Sequence, residues 1–166
     1  MTRVYLRSSV AAGQPRAQGD GLEKRLFKAA EGGDALSQYN LGILYGSGLD
    51  DNGYAVEVDR PQTVKWLLAA AEQGLPRAQV KLAEVYADGP DIAGSHATAC
   101  AWFLLAATGL RGIHLQRART GYERVAAHLT PAQIAEAKRF AQDWAPMRPT
   151  QAALEAPGDP DGGRAQ

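Results

Sequence analysis

The amino-acid sequence predicts an all-α protein: an α/α superhelical solenoid of helix-turn-helix repeats, about seven helices with a C-terminal capping helix. A fixed internal period is the first observation behind this prediction. Residues 70–89 (AAEQGLPRAQVKLAEVYADG) lie over residues 29–48 (AAEGGDALSQYNLGILYGSG) at a constant offset of 41. Ala29/Ala70, Ala30/Ala71, Glu31/Glu72, Gly33/Gly74, Gln38/Gln79, Leu41/Leu82, Tyr45/Tyr86 and Gly48/Gly89 are identical pairs. A repeat of this length marks stacked supersecondary units. The second observation is helical spacing of apolar residues, punctuated by glycine and proline.

The first helix is expected over about residues 21–31, with Leu22, Leu26, Ala29 and Ala30 on one side. Gly32 and Gly33 stop it, because glycine accepts the left-handed conformation of a helix end. Asp34 caps the second helix, which runs to about Gly46 and should bury Ser37, Leu41, Leu44 and Tyr45. Asp59 and Gln62 form a capping box for the third helix, with Pro61 in its first turn. Val64, Leu67, Leu68 and Ala71 are its apolar face. Gly74 stops it and Pro76 starts the fourth, which buries Ala78, Leu82, Val85 and Tyr86.

Ser95 caps a fifth helix. There the third-helix pattern returns at an offset of 36, with Trp66/Trp102, Leu68/Leu104, Ala70/Ala106 and Ala71/Ala107. The difference lies in the loop: residues 47–58 are five longer than the stretch after Gly89. A sixth helix, about residues 112–128, carries Leu115, Ala118, Tyr122, Val125 and Leu129. Thr130 to Gln133 is another capping box, opening a seventh helix with Ile134, Ala137, Ala141 and Trp144. Its opposite side is polar, as a helix that closes a solenoid against water requires. Residues 1–20 and the Pro- and Gly-rich residues 146–166 are expected to be disordered tails around a domain at 21–145.

Composition removes several classes of function. Lys plus Arg equals Asp plus Glu at 18 each, which leaves no excess of bases for a phosphate track and argues against nucleic acid. One cysteine, Cys100, cannot form an internal disulfide. No apolar run is long enough to span a bilayer. No secretory segment is evident, and the expected location is cytoplasmic. Arg3, Arg7 and Arg16, with no acid before Asp20, give an organelle transit segment as the alternative.

The pattern W-x-x-x-A-A-x-x-G-x-x-x-A-Q-x-x-L-x-x-x-Y-x-x-G, seen at Trp66, Ala70, Ala71, Gly74, Ala78, Gln79, Leu82, Tyr86 and Gly89, resembles the Sel-one-like repeat, a relative of the tetratricopeptide repeat. The earlier copy departs by Arg25 at the Trp position and Ser37 at an Ala position. The third keeps Trp102, Ala106, Ala107 and Gly109 and then loses the rest. The resemblance covers about residues 21–109, and residues 129–144 look like the end of many small bacterial proteins of this family. It implies an adaptor that holds other proteins or peptides and performs no catalysis.

In related arrays the first helix of each repeat lines the concave side. The matched non-motif positions there are Leu36 and Arg77, Asn40 and Lys81, Ile43 and Glu84, and Ser47 and Asp88. They are the candidate partner-binding residues and should be exposed on one surface. Tyr54, Val56 and Val58 in the longer loop are a second candidate. Residues 31–59 hold six acids and no base, whereas residues 111–139 hold six bases against two acids. Arg117 and Arg124 of the basic part are therefore candidates for meeting the acidic loop of another copy, an alternative in which the solenoid assembles end to end.

Chemistry is sparse. A calcium loop over residues 48–59 would place Asp50, Asn52 and Asp59 at ligand positions but Gly48 at the first, and an Asp where a longer Glu is wanted. His96, His114 and His128 lack paired ligand spacing. No metal and no cofactor are expected. Cys100 falls on a packing position, and no nucleophile elbow or phosphate loop occurs, so a small hydrolase is a remote alternative.

Overall fold

The computed structural model describes residues 22–49, 57–89 and 95–145. Among them are seven helices: α1 (Leu22–Glu31), α2 (Ala35–Ser47), α3 (Arg60–Glu72), α4 (Pro76–Ala87), α5 (Ser95–Gly109), α6 (Gly112–Ala126) and α7 (Pro131–Asp143). Both expected tails, and the loop residues Tyr54 and Val56, lie outside the described residues.

Each helix packs on its successor through α6, and α7 lies against α5. The repeating unit is α2 with α3, then α4 with α5. Its corners follow from glycine. Gly33 (φ 93°) ends α1 and Gly74 (φ 89°) ends α3, both left-handed. Each places two amide donors on the last carbonyls: Asp34 N to Ala29 O and Gly33 N to Ala30 O, then Leu75 N to Ala70 O and Gly74 N to Ala71 O. The same two-bond cap therefore recurs 41 residues apart.

The repeated glutamines complete these corners. Gln38 Nε2 donates to Ala30 O at 3.0 Å, and Gln79 Nε2 to Ala71 O at 3.2 Å. Gln73 Nε2 also donates to Gly33 O and to Gln38 Oε1. Both motif glutamines are buried, so each recurs as a hydrogen-bonding seal between one helix and the next.

Ala70, Ala71, Ala78, Leu82, Ala83, Ala99, Cys100 and Ala106 are fully buried in the main cluster. Small side chains there let the helices approach closely. A smaller cluster of Ala30, Leu41, Tyr45 and Trp66 lies at the α1 end. Each repeat tryptophan meets an aromatic ring from an outer helix, edge to face: Trp66 with Phe27 of α1 at 5.6 Å, and Trp102 with Phe140 of α7 at 5.9 Å. Arg25, at the Trp position of α1, is exposed because it stands on an end helix.

Several expectations need correction. Tyr45 is buried, but Tyr86 is only half-buried, as are Ser37, Leu44 and Val85. Asp59 caps α3 by accepting from Gln62 N, yet the reciprocal half of that box is missing. Gln62 turns its amide inward, where Oε1 is buried without a partner. The box at Thr130 and Gln133 is complete. Ser95 is a residue of α5 itself, and α6 ends at Ala126, two residues before His128.

The third repeat also continues beyond Gly109. Counting 36 from Leu82 and Tyr86 reaches Ala118, fully buried, and Tyr122, half-buried, both on α6. The match fades because the packing is rebuilt around a larger residue. Phe103 of α5 stands where α3 has Leu67, and its ring fills the space above Gly121, where any Cβ would collide with it. Leu67 is itself pressed on Gly42, where a Cβ would come within 2.7 Å of Leu67 Cδ2.

Candidate functional site

Once the motif residues are turned to the core, four positions on each of α2, α4 and α6 remain on a common face. They form rows across the array: Leu36, Arg77 and Ile113; Asn40, Lys81 and Arg117; Ile43, Glu84 and Thr120; Ser47, Asp88 and Arg124. The offsets along each row are 41 and then 36, those of the repeat. Leu36, Asn40, Ser47, Arg77 and Asp88 are exposed, and Ile43, Lys81 and Glu84 are half-buried. None of these residues belongs to the core.

Side chains tie the rows together. Arg117 Nε meets Glu84 Oε1 at 2.6 Å, and Lys81 Nζ meets Glu84 Oε2 at 3.1 Å. Arg124 Nη1 meets Asp88 Oδ1 at 3.0 Å. Two of these ion pairs join α4 to α6, side by side along the face. The bond to Glu84 holds the Arg117 guanidinium above its ordinary pKa, and the Tyr39 hydroxyl of α2 acts in the same direction.

These pairs alter the expected role of Arg117 and Arg124. Both were candidates for the acidic loop of another copy, but their charges already meet carboxylates of the same chain. Glu84 and Asp88 lie on α4, outside the acidic stretch at residues 31–59, so these two pairs join the basic stretch to α4 and not to the acidic one. End-to-end assembly through Arg117 and Arg124 would have to compete with these pairs within the chain. In the sequence the repeat fades after Gly109, so Arg117 and Arg124 stood out by charge alone and Ile113 and Thr120 were not placed in the rows. Continuing the offset of 36 past Gly109 would have found them.

Other groups form no comparable site. Among the described residues no three His, Cys, Asp or Glu side chains come together as a metal site. Cys100 is fully buried, and burial pushes its thiol pKa up despite the opposing charge of Lys138. His96 and His128 stack with centroids 5.1 Å apart, joining the start of α5 to the chain after α6. The base of the long loop leaves Leu49 and Val58 about half exposed, while Asp59 N donates to Tyr45 O and anchors its far end. No helix among the described residues is long and apolar enough to cross a membrane.

A family model described as Sel1 repeat matches residues 35–75 and again residues 76–109. These spans are α2 with α3 and α4 with α5, each with the turn that follows or joins them. Among solved structures, the chain is similar to a protective antigen present in uropathogenic Escherichia coli strains, whose crystal structure displays an SLR fold; the TM-score is 0.62 and the sequence identity 30%. The match covers 73% of this chain and 24% of the antigen, so the chain spans only that share of the antigen's length. No match is found among curated proteins. The matched helix pairs, their shared corner chemistry and the solved relative together show that residues 35–109 are two Sel1 repeats.

Proposed function

We propose that the protein is a protein–protein interaction adaptor that holds a segment of another protein on the face of α2, α4 and α6. Sel1 repeats generally mediate such interactions. The observation that carries the reading is the division of labour within the repeat. Motif positions such as Leu41, Leu82, Gln38 and Gln79 are buried, while matched non-motif positions on the same helices stay outside the core. Motif residues therefore build the scaffold and leave the face free to vary, as a binding surface on a repeat array requires.

The test is site-specific photo-crosslinking. A crosslinker in place of Asn40 or Thr120 should capture a partner in the native cell extract. One in place of Arg25 or Lys65, exposed on α1 and α3 away from the rows, should not. Equal capture from both sets, or none from the face, would sink the adaptor reading.

A further inference from the structure

The face of α2, α4 and α6 is not electrically neutral. Across its rows, bases outnumber acids by four to two: Arg77, Lys81, Arg117 and Arg124 against Glu84 and Asp88. At the Ser47 end, Asp88 and Arg124 cancel in one ion pair. The surplus therefore sits towards the other end, where Lys81 and Arg117 share the single carboxylate of Glu84. Arg77, one row further on, is exposed and in no ion pair among the described residues. Its row neighbours are aliphatic and open to solvent: Leu36 is 50% exposed and Ile113 is 74% exposed.

We propose that this end of the face binds an extended segment of another protein in which carboxylates stand beside aliphatic side chains. The proposal rests on the adaptor reading and adds the chemistry of its partner. Charge-assisted hydrogen bonds from Arg77 to a carboxylate supply orientation, because a guanidinium presents its donors in a fixed fork. Leu36 and Ile113 supply apolar area that a fully hydrated acidic chain would leave uncovered. Nucleic acid fits poorly: a surplus of two charges releases few counterions, and aliphatic side chains offer bases no flat surface for stacking.

The experiment uses the full chain and fluorescence anisotropy. The probes are a labelled peptide of alternating leucine and glutamate, its lysine counterpart, and a version with glycine in place of leucine. The leucine–glutamate peptide should bind, more weakly as salt is raised, and the lysine peptide should not. The glycine version should bind several-fold more weakly. Arg77→Glu should weaken the leucine–glutamate peptide about tenfold or more. Ile113→Ser, which leaves every charge in place, should also weaken it. Arg124→Glu, at the compensated end, should have the smaller effect. Circular dichroism of each variant checks that the helices persist, as expected for exposed positions. Binding of the lysine peptide at equal strength, or no response to Arg77→Glu, would overturn the proposal. So would a single-stranded oligonucleotide that displaces the acidic peptide at matched charge. If acidic peptides fail while crosslinking at Asn40 still captures a partner, the adaptor reading survives and the acidic partner falls.

Discussion

Tyr45 and Tyr86 occupy one repeat position in different surroundings. Tyr45 is buried with Trp66, Leu41 and Ala30, whereas Tyr86 is half-buried, and burial with the nearby charge of Glu72 pushes its phenol pKa up. Tyr45→Ala should cost about 3–5 kcal/mol, as deletion of a buried aromatic does, and Tyr86→Ala roughly half of that. Urea denaturation of the two variants measures the difference, and the reverse order would refute the smaller cluster as a core. Cys100 gives a pH test. A thiol whose pKa is raised by folding contributes stability that is full below its ordinary value of 9.0 and is lost as pH rises through the folded value. Alkaline destabilisation should therefore be milder in Cys100→Val than in the parent chain. The native thiol should also resist alkylation until denaturant is added, because the thiolate is the reactive form.

Local chemistry made the element boundaries legible in the sequence. Asp34, Asp59 and Thr130 are capping residues three positions before the amide they accept from, and all three caps form. Thr130→Ala should loosen α7 at a cost of about 1 kcal/mol. Because Phe140 of α7 meets Trp102, the change should also appear in tryptophan fluorescence. An unchanged emission spectrum would separate the cap from the packing of α7. What local chemistry could not supply was the course of α6. Ala118 and Tyr122 keep the repeat phase, but a pattern search sees Ala for Leu and stops. Only the juxtaposition of Phe103 and Gly121 shows that volume has moved from one helix to the other. Gly121→Ala should thus destabilise the fold by about 1–3 kcal/mol through overpacking, although alanine is the better helix former. A paired Phe103→Leu should recover part of that loss.

Across the whole molecule, the repeat period was visible in the sequence, but the meeting of charges was not. The period identified the rows, since matched positions share an orientation. It could not show that Arg117 and Arg124 would pair with α4, because that contact depends on how α6 packs beside α4. Both cross-helix pairs are substantially exposed on at least one side, so neither should add much stability. Asp88→Ala should shift the denaturation midpoint little, and a large shift would show that the pair holds α6 in place.

The corners between repeats differ in kind, and temperature should tell them apart. Gln38 and Gln79 fasten α2 to α1 and α4 to α3 with buried amide hydrogen bonds. The corresponding residue on α6 is Leu115, and the third corner relies on apolar contact, with Phe103 seated over Gly121. Apolar contact weakens on cooling because its driving force near room temperature is entropic. Chilled protein should therefore release α6 before α2 or α4, seen as earlier loss of amide protection between Gly112 and Ala126. The array would then open in the cold from one end, the end that contributes Arg117 and Ile113 to the candidate binding face.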